Sequence, residues 1–432
     1  LVPLPERVHP MAGHRLQLPT IQNWSCHNCS GCCRQHLIEV SDEERRRILD
    51  QHWEQDTELA DQSPVLVKLN HLPGSRRYRL AHQADGACIF LDENGLCRIH
   101  AKFGEEAKPL ACRIYPYAFH PAGRNLAVSL RFSCPSVVSN RGGAVRDQTD
   151  EIKKLARDAV PAGVSRLPAP EITPGEQLDW PDFLRLRDAL DAELADNEAV
   201  NVKLRRALFW INLIEQATFS KVRGDRLDDF LDLLRQTAGT ETLREINPSA
   251  QPSRSGRMQF RMLTAQYARK DTFADQQSSW RGRWKLLRAA VRFARGTGTV
   301  PPLQDLFQEV PFAELEHPFG GLPAQAEEIF TRYLRVKIQG LHFCGRAYYG
   351  VPLVEGFRSL VLVYPCVMWL SRWLALGRGR SVLQTDDVAD ALAIADHHHG
   401  YSPAFGRRDF RRRVRSLARL GDIEKLCVWY SR

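Results

Sequence analysis

Four cysteines within eight residues, Cys26, Cys29, Cys32 and Cys33 in the order Cys-x-x-Cys-x-x-Cys-Cys, constrain this chain more than any other feature. Thiols at intervals of three curl the backbone so that several sulfurs face one centre. Gly31 is expected to give the sharp turn just before the cysteine pair. Four more cysteines follow in specific contexts. Cys88 opens Cys-Ile-Phe-Leu, Cys97 follows Asn94-Gly95-Leu96, Cys112 opens Cys-Arg-Ile-Tyr-Pro, and Cys134 ends Phe-Ser-Cys-Pro. Of the chain's 11 cysteines, only Cys344, Cys366 and Cys427 lie elsewhere. Those three sit in apolar helical surroundings and read as ordinary buried thiols.

The segment at the start, LVPLPERVHPMAGHRLQLP, lacks the basic-then-apolar pattern of a signal peptide, and the chain reads as cytoplasmic. In a reducing compartment a dense cysteine series holds metal rather than disulfides. Thiolates suit both zinc and iron–sulfur centres. Structural zinc sites usually pair two separated Cys-x-x-Cys knuckles. The consecutive spacing here is closer to the first part of a ferredoxin ligand run, which points to a [4Fe–4S] cluster first and zinc second. The candidate ligands are Cys26, Cys29, Cys32, Cys33, Cys88, Cys97, Cys112 and Cys134. Eight exceed what one cubane needs, so either some are structural or there are two centres. His27, His36, His100 and His120 lie near enough in sequence to be considered as ligands. The Cys-x-x-x-Cys-x-x-Cys spacing of radical S-adenosylmethionine enzymes is not present.

The expected fold is mainly α: a small, irregular, cysteine-rich α+β metal domain followed by a helical domain. Residues 1–145 form the first. Residues 146–181 supply a linking helix over Asp147–Ala159 and a proline-rich boundary, and residues 182–432 form the helical domain with a basic C-terminal tail. Ser41-Asp42-Glu43-Glu44 reads as a capping box opening a helix to about Gln55. Leu126–Phe132 alternates as a half-buried strand does. The segments 247–257 and 296–302 read as breaks between helices. Leu360–Leu370 is apolar but short, and Arg358 and Arg372 flank it, so it reads as a buried helix and not a membrane span.

The cysteine motifs together resemble the YkgJ-like family of zinc- or iron-chelating cysteine-cluster domains. The longer layout is similar to that of the flagellin lysine-N-methylase (FliB-type) family. The shared order is Gly104-Glu105, Cys112, Tyr115-Pro116 and Ser133-Cys134-Pro135, then a late helix around Glu327–Tyr333. Tyr117 stands where that family often carries arginine. The resemblance implies S-adenosylmethionine-dependent methylation of lysines on a protein substrate, by an enzyme that carries an iron–sulfur cluster. It places the methyl donor between the cysteine domain and the C-terminal helices.

The residues by themselves give that activity less support. Gly296-Thr297-Gly298 follows a helical pattern, not a strand, and is a poor nucleotide loop. Tyr115, Glu328 and Tyr333 are candidates to desolvate or orient a lysine amine. His397-His398-His399 reads as a solvated turn, and Arg407–Arg415 as a solvated basic helix face. The net charge of +9 comes with no nucleic-acid module, so nucleic acid is not the expected partner. Two function classes remain open: an S-adenosylmethionine-dependent methyltransferase, and a non-catalytic metal module serving structure, metal handling or redox sensing.

Overall fold

A helix that is apolar on every face must be buried, and α13 (Leu353–Gly377) is the axis on which the helical part is built. The computed structural model describes residues 15–56, 59, 64–69, 77–161, 163–241, 251–269 and 280–432. By length and composition α13 could cross a membrane, yet 89% of its apolar window is buried inside the fold. It runs well past the apolar stretch seen in sequence, because both flanking arginines are helical. Arg358 pairs with Glu215. Arg372 is fully buried and donates to the carbonyls of Leu315, Tyr430 and Arg432. Helices α8 (Val200–Gln216), α10 (Arg254–Ala268), α14 (Thr385–His398), α15 (Arg408–Arg419) and α16 (Asp422–Tyr430) pack around it. Trp369 and Trp373 fill the gap to Phe293, Phe307 and Phe312.

Gly356 lets α13 meet the preceding turn. A Cβ there would stand 1.9 Å from the carbonyl oxygen of Phe343, which is backbone and cannot swing aside. Gly356→Ala is therefore expected to destabilise the protein by about 1–3 kcal/mol, despite alanine's better helix propensity. Urea denaturation of the two proteins measures it; an unchanged midpoint would show that the two segments can separate at no cost.

The cysteine-rich part is α+β, as expected, with two small sheets. In one, β2 (Glu39–Val40), β4 (Tyr78–Leu80) and β3 (Leu66–Lys68) pair antiparallel over a core of Ile48, Trp53, Ile89, Phe90 and Ile99. The Ser41 capping box is present in full and opens α2 (Asp42–Leu49). That helix stops six residues before the expected Gln55. His52 takes a left-handed backbone (φ 53°), and Trp53–Gln55 form a separate 3-10 turn that buries Trp53. The other sheet is a hairpin of β5 (Tyr117–Ala122) and β6 (Asn125–Leu130), with β1 (Arg15–Gln17) parallel to β6. Both faces of β6 are covered: Leu126, Ala127, Val128, Ser129 and Leu130 are all buried. The expected one-sided alternation fails because α12 (Ala324–Gln339) lies against it. Hairpin and helices share one continuous hydrophobic core from Tyr117 to Tyr430.

The linking helix is α6 (Thr149–Ala159). The proline-rich segment carries a 3-10 turn, a short hairpin of β7 (Glu171–Thr173) and β8 (Glu176–Gln177), and Pro181 in the first turn of α7 (Trp180–Glu193), where its missing N–H has no partner to lose. Of the expected loop at 247–257, residues 247–250 lie outside the described residues, and α10 already begins at Arg254 under a Ser253 cap. The 296–302 break holds the two-residue strand Thr299–Val300, paired with Val310–Pro311.

Candidate metal centre

The loop Cys26–Ser30 leads into the short α1 (Gly31–Gln35). The sharp turn is made by Asn28 and Ser30, both left-handed (φ 52° and 54°), and not by Gly31, which is already helical. Asparagine enters that region at low cost because its amide bonds locally. At Gly31 a Cβ would touch Cys29 Sγ and Pro135 Cδ, each at 3.6 Å, so the Cys29 sulfur lies beside the Cys134–Pro135 turn.

Seven of the eight cysteines fall into two neighbourhoods, and Cys26 stands apart from both. Cys32 and Cys33 hold their sulfurs 4.0 Å apart. The backbone N–H of Cys88 donates to the Cys33 carbonyl at 2.8 Å, which ties the second cysteine segment to α1. Cys97 ends the Asp92–Leu96 turn and caps α3 (Arg98–Phe103); Cys112 sits in α4 (Leu110–Ile114). Cys88 is acted on electrostatically by Cys97 and Cys32, and Cys112 by Cys88, Cys97 and Cys32. The second neighbourhood is Cys134, which feels Cys29. Cys26 is exposed, its sulfur 3.6 Å from the Asn28 amide oxygen. All eleven cysteines are free thiols.

Burial and neighbouring sulfurs favour the protonated form of Cys32, Cys88, Cys112 and Cys134. The hydrogen bond with Cys33, then burial, push Cys32 far above the usual thiol range. Burial pushes Cys88 up to about 12, and burial with its sulfur neighbours raises Cys112. Lys108 opposes the rise at Cys32 and Cys112. A thiophilic cation would supply the missing positive charge and ionise them. The donor set thus fits zinc or an iron–sulfur cluster in chemistry. Among the described residues no three Cys, His, Asp or Glu side chains stand in ready coordination geometry.

The four neighbouring histidines have other engagements. His27 Nδ1 bonds the Ser136 hydroxyl at 3.1 Å. His100 lies in the last turn of α3. His36 packs between Tyr115 and His397, ring centroids 4.9 Å from each. His120 stacks on His342. Tyr117 donates to Gln148 and packs edge-on to Trp24.

His36 leads to a feature the sequence did not disclose. His398 and His399 are buried, not solvated. Behind the metal region, α12 and α14 bring Lys337 and Asp396 together at 2.6 Å with both side chains fully buried. Lys337 also donates to the Leu130 carbonyl and to His342 Nδ1. Asp396 accepts the backbone N–H of Ser133, the residue before Cys134. The Ser133 hydroxyl meets Tyr115 Oη at 3.2 Å. Of the candidates for handling an amine, Tyr333 lines this chamber and Tyr115 borders it. Glu328 is 78% exposed and pairs with Arg332 instead. An aspartate directly after the apolar run Ala391–Ala395 was the available signal; Lys337 stands in the mixed segment Tyr333–Phe343 and gave none. Lys337→Met strands a buried carboxylate and is expected to cost about 3–5 kcal/mol, with partial recovery in Lys337→Met/Asp396→Asn. Equal urea midpoints for wild type and the single variant would show that the pair is solvated.

Residues 25–135, which carry the eight clustered thiols, match a family model described as "CxxCxxCC: Putative zinc- or iron-chelating domain". The chain is also similar to the flagellar biosynthetic protein FliU of Salmonella muenchen, 28% identical over 118 residues, which are 26% of this chain and 69% of that protein. No solved structure matches.

Proposed function

We propose that the cysteine domain holds a [4Fe–4S] cluster and that the chain is an S-adenosylmethionine-dependent protein-lysine N-methyltransferase. The family description supports zinc or iron chelation by residues 25–135. The cluster reading rests on Cys32, Cys33, Cys88, Cys97 and Cys112, thiols on three segments that gather in one neighbourhood. That is enough for the four ligands of a cubane. The enzyme reading is carried by one observation: charged and neutral polar groups are buried together directly behind the cysteine region, where a purely structural module needs none.

S-adenosylmethionine would supply the electrophilic methyl group. The protein's task is to hold an amine that has already lost its proton to solvent in line with it. Burial holds His120 and His399 at about 3, so both rings are neutral at physiological pH. The cysteine region connects to this chamber through Ser133, next to Cys134, and through Tyr115, and would fix its position, not react.

The second reading, a zinc or iron module without turnover, is favoured by one feature. Among the described residues, Gly296 and Gly298 follow a helix and precede a two-residue strand, which is no nucleotide cradle. Anaerobic purification with iron, zinc and sulfide analysis and a visible spectrum tests the cluster. Stoichiometric zinc in a colourless protein overturns it. Calorimetry with S-adenosylmethionine on the metal-loaded protein tests the enzyme, and no binding at millimolar ligand overturns that reading.

A further inference from the structure

The chamber around Lys337 is unfinished as a hydrogen-bonding network. Besides Asp396 Oδ1, which faces Lys337 at 2.6 Å, four of its buried polar atoms lack a hydrogen-bond partner: Tyr333 Oη, Tyr401 Oη, His120 Nε2 and His399 Nε2. They surround one point of the fold. The Lys337 ammonium lies 5.5 Å from the Tyr333 ring and 5.6 Å from the Tyr401 ring. His342 accepts from Lys337, stacks on His120 at 4.9 Å and meets Tyr401 at 4.7 Å. Buried polar groups are rarely left without a partner, and four together ask for an occupant.

Burial keeps the Tyr333, Tyr401 and Tyr267 phenols protonated. Tyr267 Oη lies 2.8 Å from His399 Nδ1; with the phenol as donor, the network assigns the ring proton of His399 to Nε2. Lys337 donates to His342 Nδ1, so that ring carries its proton on Nε2 as well. The chamber therefore presents the O–H groups of Tyr333 and Tyr401 and the Nε2–H of His399 as donors. Its charges are also unbalanced: Lys337 and Arg131, which lies 3.7 Å over the Tyr401 ring, face the single carboxylate of Asp396. Donors plus one excess positive charge call for an acceptor with negative charge, and a carboxylate offers about four acceptor sites. Tyr401, His120 and Arg131 are each partly exposed as residues, while Tyr401 Oη and His120 Nε2 themselves are buried.

We propose that this chamber binds the carboxylate of a small molecule, with L-methionine as the probe. The inference rests on the chamber, and not on methyl transfer; within that reading the methionine end of S-adenosylmethionine is a ligand of this class. The test is calorimetry on the metal-loaded full chain with L-methionine, with L-methioninol, which lacks the carboxylate, and with S-adenosylmethionine. Methionine is expected to bind and methioninol not to. Tyr333→Phe and Tyr401→Phe should each weaken methionine about tenfold. The same variants should leave the thermal midpoint of the ligand-free protein unchanged or raised, since each removes an unpaired hydroxyl. Equal binding of methionine and methioninol, affinity untouched by both variants, or no methionine binding at millimolar concentration overturns the proposal. S-adenosylmethionine binding that survives both variants overturns it while sparing the methyltransferase reading. Methionine binding without S-adenosylmethionine binding supports the chamber and removes the methyltransferase.

Discussion

Cys29→Ser/Cys32→Ser is expected to lose its metal and, with it, the fold of the cysteine region. The two sulfurs belong to different neighbourhoods, Cys29 beside Cys134 and Cys32 among Cys33, Cys88, Cys97 and Cys112, so the double variant strikes both. The apolar cluster beneath them is small: Val40, Ile48, Trp53, Leu59, Leu66, Leu80, Ile89, Phe90 and Ile99 with a few partly covered neighbours. A core of that size contributes only a few kcal/mol on its own. Structural thiolate zinc sites contribute about 10–16 kcal/mol, so metal binding and folding of this region are one equilibrium. Metal analysis should fall to background. Limited proteolysis should cut within residues 26–112 while α13 and its neighbours stay protected, because their core is separate. Full metal occupancy in the double variant would remove both cysteines from the ligand set. Metal loss without local cleavage would show that the small core stands unaided.

The cysteine region was legible because its chemistry is local: spacing alone marks a thiolate site. The helical class was legible for a similar reason, since three- and four-residue apolar spacings recur from Asp182 onward. Three things were hidden, each by a long-range contact. Arg358 and Arg372 looked like the ends of an apolar run, but Arg372 is buried on carbonyls near the C-terminus, which no local pattern announces. Strand β6 looked half-buried until α12, some 200 residues later in the chain, covered its second face. His398 and His399 looked solvated beside a glycine. Gly400 is there for closeness: a Cβ would stand 2.3 Å from His342 Nε2, and the turn brings the histidines into the core. The polar chamber combines all of these, since its residues come from β5, α12, α14 and the 399–402 turn and meet only in three dimensions.

Acid should destabilise the protein steeply, through histidines rather than carboxylates. Burial depresses His120 and His399 to about 3 and holds His342 well below the usual imidazole range, and Lys337 adds to the effect at all three. Arg131 and the other two rings act on His342 in the same sense, and Asp396, the nearby anion, is engaged by Lys337. In the unfolded chain each ring titrates near 6.5. Below that pH the unfolded state binds protons that the native state refuses. The stabilisation is therefore complete above about 6.5 and is lost as pH falls toward about 3. From pH 7 to pH 5 the loss is about 2 kcal/mol per histidine, or about 6 kcal/mol for three, comparable with the whole stability of many domains. Thiolate protonation at the metal centre acts in the same direction, so the separating measurement is the slope. His120→Gln and His399→Gln should each flatten the dependence of unfolding free energy on pH by about 1.3 kcal/mol per unit between pH 5 and 6. Unchanged slopes in both variants would assign the acid sensitivity to the cysteine centre and would mean that these rings take up protons in the folded protein.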